Sequence, residues 1–105
     1  MYIHLYAPAV RFAWDARKSA ENLRVRGFDF EFATLVFEGP TLERTDQRRD
    51  YGEARIVAIG LAQGIPLTVV YTDRAESGTL VRRIISARLS NRHERKAYFE
   101  TLAQE

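Results

Sequence analysis

Apolar positions follow two different rhythms along this chain. Near the start, Phe12 and Trp14 alternate as one face of a short strand that ends at Asp15, a residue suited to cap a following helix. Ala16, Ala20 and Leu23 then recur at helical spacing, and Gly27 suits a left-handed terminator. A second, shorter helix is predicted over residues 30–37, capped by Asp29, with Phe28 and Ala33 as a hydrophobic staple and Gly39 and Pro40 as its stop. Phe32, Ala33, Val36 and Phe37 give it an apolar face that reads as core.

From Thr41 the rhythm changes to strands. Residues 42–48 are polar and edge-like, whereas 54–61 (ARIVAIGL), 67–72 (LTVVYT) and 80–89 (LVRRIISARL) are rich in β-branched residues. Residues 62–64 suit a hairpin and 73–78 a longer turn, so consecutive strands are expected to pair antiparallel. A helix over 91–103 closes the chain, its apolar positions Ala97, Tyr98 and Leu102 forming a narrow stripe. The expected class is α+β: an antiparallel meander of about four strands with two N-terminal helices and one C-terminal helix. Residues 1–10, which contain Pro8 and show no sustained period, read as a lead-in segment.

Length and composition narrow the picture. A chain of 105 residues is expected to form one domain, since two would each bury too little surface. It has no cysteine, which removes disulfides, thiolate metal sites and cysteine nucleophiles and fits a reducing cytosol. The longest apolar runs are too short to cross a bilayer, and the start lacks the pattern of a secretory signal, so the expected location is cytoplasmic. The net charge is only +2, but it comes from 14 arginines against two lysines, Lys18 and Lys96. Arginine presents a planar fork of donors suited to phosphate or carboxylate, which points toward nucleic acid. The plainer reading is an arginine-biased surface.

The motifs resemble a known family. FAWD (Phe12 to Asp15), Lys18 with Asn22, Gly27, Glu53 with Arg55, Ile59 with Gly60, Val70 to Thr72 with Arg74, and RIISAR (Arg83 to Arg88) look like BrnT over residues 12–98. The resemblance implies a fold similar to the RelE and ParE toxins, metal-independent RNA cleavage, no cofactor, and neutralisation by a BrnA-like antitoxin. That antitoxin would carry a ribbon-helix-helix domain, through which alone the complex would reach operator DNA. One departure stands out: where the family has K-H-G, this chain has Val25-Arg26-Gly27.

Metal-free RNA cleavage requires a base for the 2′-OH, an acid for the leaving 5′-oxygen, and positive charge on the phosphoryl oxygens. Arginine serves only the last, because it stays protonated. Glu53 is the nearest candidate base; in an extended strand it would share a face with Arg55, and its competing reading is a surface salt bridge. Arg74, Arg83 and Arg88 complete the catalytic candidates. Strand parity groups Arg83 with Val81 and Ile85 on an apolar face, so it reads equally as a buried ion-pair partner, and it sets Arg82, Ser86 and Arg88 on the other. Arg26, Arg48, Arg82 and Tyr71 are candidate RNA contacts. For Tyr71, core packing competes; for Arg48, in the run RTDQRR, a solvated edge strand does. His4 and His93 read as exposed or capping residues rather than catalysts.

Overall fold

Two aspartates set the first helices. The computed structural model describes residues 10–46 and 52–104. Strand β1 (Val10–Trp14) leads to Asp15, whose carboxylate accepts the backbone N–H groups of Arg17 and Lys18 at the start of α1 (Ala16–Arg26). Gly27 ends α1 at φ 88°, a left-handed conformation, and its N–H donates to the Leu23 carbonyl. Asp29 accepts from Phe32 N–H and opens α2 (Phe30–Ala33). The single helix expected over 30–37 instead tightens after Ala33 into a 3-10 helix, Thr34–Glu38.

The strands follow as β2 (Leu42–Thr45), β3 (Ile56–Ala62), β4 (Ile65–Glu76) and β5 (Thr79–Leu89), and α3 (Arg92–Ala103) closes the chain. They form one sheet in the order β1-β5-β4-β3-β2. Neighbours from β2 to β5 pair antiparallel, but β1 pairs parallel with β5. The sheet is therefore mixed and five-stranded, not an antiparallel one of about four. A parallel pair needs a long connection, and the intervening helices and strands supply it.

Both hairpin turns have two residues: Gln63 and Gly64 at φ 50° and 80°, Ser77 and Gly78 at φ 49° and 79°. Positive φ at both centres defines the turn that matches the twist of antiparallel strands. The longer turn expected over 73–78 is absent because β4 runs on to Glu76. Its polar end is held in register by a cross-strand pair, Asp73 with Arg82, both guanidinium bonds at 2.9 Å.

The β4–β5 register shifts between Val70 and Tyr71. Val70 faces Ser86 while Tyr71 faces Ile84, so Ile85 is an extra residue. This bulge lets Ile84 and Ala87 share one face with Tyr71, Val69 and Leu67, against which Phe30, Ala33 and Val36 pack. Gly60 is required there: a Cβ would lie 2.9 Å from Val36 Cβ and 3.2 Å from Val36 O.

Helix α1 docks by its polar side. Ser19 and Asn22 are buried, while Leu23 is 51% exposed and Ala16 and Ala20 are exposed, the reverse of the stripe expected from spacing. The reason is backbone satisfaction. Ser19 Oγ accepts Phe30 N–H at 3.0 Å and Asn22 Nδ2 donates to Phe28 O at 2.9 Å, pairing groups of the α1–α2 link that burial would otherwise strand. Helix α3 lies near Val57 and Ile59, on the sheet's other face, anchored by buried Tyr98, whose hydroxyl donates to Pro40 O at 2.8 Å.

Candidate functional site

The residues flanking the start of β3 decide the position of the site. Asp46 N–H donates to Arg55 O at 2.8 Å, extending the β2–β3 ladder by one rung. Thr72 Oγ1 donates to Ala54 O at 2.7 Å, which ties the segment ahead of β3 onto β4. Glu53 and Arg55 thus lie before β3 rather than within a strand. Arg55 donates through Nε and Nη2 to Glu53 Oε1, each at 3.2 Å. This pair was expected; a bend, not strand alternation, brings its members together.

Beside them, Arg83 stands opposite Thr72 on β4 and Ala13 on β1. Glu53, Ala54, Thr72, Arg74, Val81 and Arg83 line a groove across this end of the sheet, with Ala13 and Asp73 at its sides. Arg83 shares its side with buried Val81, as alternation implies, but is itself exposed and forms no ion pair among the described residues. The core face belongs to Arg82 and Ile84, by plain alternation with Arg83, and the bulge at Ile85 then brings Ala87 rather than Ser86 to that face and sets Ser86 and Arg88 on the side of Arg83. Arg74 pairs with Glu76 at 2.8 Å, and Glu76 also receives Arg11 at 2.9 Å, both at the surface.

The other candidates serve different neighbours. Arg82 lies over the rings of Tyr71 and Phe37, 4.1 and 4.7 Å from their centroids, and its bond to Asp73 favours its charged form. Tyr71 is buried, and its hydroxyl donates to Glu43 Oε1 at 2.7 Å. Burial first, and that bond second, push its phenol well above the usual range, so it stays protonated. Arg88 grips Glu94 of α3 with two bonds, 2.6 and 2.8 Å, outside the groove. Arg26 donates to Ala87 O at 2.7 Å and to Asn22 Oδ1 at 3.5 Å, joining α1 to β5. Arg48 and His4 lie outside the described residues. His93, in the first turn of α3, faces the cleft between that helix and β2.

The structure therefore brings together Glu53, Arg55, Arg74 and Arg83, and places Arg88, Arg26, Arg82 and Tyr71 elsewhere. Thr72 was read only as the end of the strand 67–72 and Asp73 as the start of a turn, so neither was named as a site residue. The one available signal was the facing of Asp73 and Arg82 across a hairpin. Among the described residues no group of three or more His, Asp or Glu side chains is placed to hold a metal ion, and no helix is long and apolar enough to cross a membrane.

These features define a small α+β protein carrying the carboxylate of Glu53 and two arginines, Arg74 and Arg83, in one open groove, an arrangement suited to a phosphodiester. Residues 14–94 match the family described as the ribonuclease toxin BrnT of type II toxin–antitoxin systems, and the chain belongs to that family. Comparison with curated proteins finds no match.

Proposed function

We propose that this toxin is a metal-independent endoribonuclease that inhibits translation by cutting RNA, with the Glu53 groove as its active site. One observation carries the reading: an arginine without a protein ion-pair partner among the described residues, Arg83, shares a groove with an accessible carboxylate, Glu53. In such cleavage the 2′-oxygen bonds to phosphorus as the bond to the 5′-oxygen breaks, and the leaving 5′-oxygen takes its proton from water, since the arginines stay protonated. The two bonds from Arg55 to Glu53 fall on Oε1, so Oε2 of Glu53 is the oxygen that takes the 2′-OH proton. Arg83 supplies charge to the phosphoryl oxygens as they become more negative. Arg74 joins it by leaving Glu76, a surface ion pair that costs about 0–1 kcal/mol to break.

Under this reading the fold is RelE/ParE-like, the protein works in the cytoplasm, and the partner is a BrnA-like ribbon-helix-helix antitoxin through which the complex contacts operator DNA. The test is RNA incubated with purified protein in excess chelator. Fragments ending in 2′,3′-cyclic phosphate are expected, and intact RNA at every salt concentration overturns the proposal.

A second reading has its own support. Arg26 stands where the family motif has histidine, and it is occupied with Ala87 O and Asn22. A toxin homologue lacking that imidazole would serve as an antitoxin-binding co-repressor, or would act as ParE-like toxins do on a target other than RNA. Growth arrest with intact RNA selects the non-RNA target; normal growth with retained operator repression selects the co-repressor.

A further inference from the structure

We propose that the outward side of α1, together with the apolar groove beyond its C-terminus, is the surface on which the antitoxin docks, and that the docking element is an extended segment bearing acidic and apolar side chains. The proposal rests on the chain being a toxin with a protein antitoxin, but not on its being a nuclease.

Helix α1 spends its buried face on Ser19 and Asn22 and turns its apolar residues to solvent. Leu23 is 51% exposed and Val25 60%. Leu89 at the end of β5 (59%) and Ile65 at the start of β4 (43%) stand near Leu23, and with Phe28 and Phe32 they line one groove. Four of the six exposed large hydrophobics among the described residues thus gather at this end of the molecule. Apolar surface collected in one place, rather than scattered, marks an interaction site.

The neighbouring groove, between α1 and β5, is cationic. It is lined by Arg17, Lys18, Val25, Arg26 and Ile85, with Glu21 as its acidic member. Glu21 is already paired with Arg24, whereas Arg17 and Lys18 have no ion pair among the described residues. Two unmatched cations leading into an apolar groove select an occupant with acidic side chains at one end and apolar ones at the other.

The open edge of β5 beside α1 leaves room for an extended segment. Pairing of β1 with β5 ends at Trp14 opposite Ile84, and no described strand flanks Ile85 to Leu89 on that side. The Arg26 guanidinium holds the Ala87 carbonyl there, so the contact is through side chains rather than by adding a strand at that rung. Eleven helical residues in α1 span about 16 Å, which about five extended residues cover. This path shares no lining residue with the Glu53 groove.

The experiment uses the full chain and the product of the adjacent antitoxin gene. Hydrogen exchange on the complex should show protection in α1 and at residues 85–89. Leu23→Asp and Leu89→Asp should each weaken binding by about tenfold or more, and Lys18→Glu should weaken it with a flattened salt dependence. Both apolar positions are exposed, and Val25→Glu is the companion variant should either of them disturb folding. RNA cleavage by the unbound variants is read separately: its absence overturns the nuclease reading and leaves the docking surface standing. Unchanged affinity in all four variants, protection confined to α3, or this face closing a dimer of the chain while antitoxin affinity is unaltered would each overturn the proposal.

Discussion

Arg82 and Arg83, adjacent in the chain, serve opposite faces of the sheet: the first is clamped to Asp73 by two 2.9 Å bonds above the Tyr71 ring, the second is exposed in the groove beside Glu53. One is tied to the fold and the other is available to a ligand, which separates stability from activity at neighbouring positions.

Replacing Arg82 should therefore destabilise the fold and replacing Arg83 should not. Arg82→Ala removes a charge-assisted pair and two ring contacts and is expected to cost about 2 kcal/mol. Arg83→Ala is expected to stay within about 0.5 kcal/mol. Urea denaturation of both variants decides; equal losses would contradict the assignment of faces.

Activity should show the reverse order. Arg83→Ala and Glu53→Gln are each expected to lower RNA cleavage about 100-fold with little change in melting temperature. Full activity in Glu53→Gln would remove the carboxylate from the mechanism.

Acid stability should depend on the joint between β5 and α3. The bond from Arg88 holds the Glu94 carboxyl down at about 2, aided by Asn91 N–H, against a usual value of 4.5. Because the folded value is depressed, the stabilisation is present above pH 4.5 and is lost as pH falls toward 2. With Arg88 partly exposed, we expect about 1–2 kcal/mol after screening. Chemical denaturation at several pH values should show that loss in the native chain and its near-absence in Arg88→Ala.

Gly60→Ala should be costly and Gly39→Ala should not. A methyl at Gly60 meets Val36 and the 3-10 segment behind it, for an expected loss of about 2 kcal/mol. At Gly39 a Cβ would have nothing within 4 Å, and the backbone there is extended. A melting-temperature shift at Gly39→Ala as large as that at Gly60→Ala would place the tight contact wrongly.

Local chemistry made much of this molecule readable in advance. Asp15 and Asp29 cap where short polar side chains before an apolar period should, and Asn91 with Glu94 forms a capping box at the start of α3. The RIISAR run is a strand, and Glu53 and Arg55 do meet. Family membership was equally visible, because it lies in residue order and spacing.

What the sequence by itself determined was thus the kinds of element, most of their ends and the family, since each depends on interactions within a few residues or on motif order. Tertiary structure alone decided which arginine is buried and which is open. One bulged residue, Ile85, shifts a period of two so that Arg88 lies on the side of Arg83 rather than that of Arg82, and no local signal marks it. It also decided that β1 lies parallel at the edge, that α1 buries serine and asparagine rather than leucine, and that Arg88 belongs to Glu94. Those outcomes depend on partners 6 to 70 positions away, where backbone satisfaction and ion pairing outweigh the preferences of a single segment.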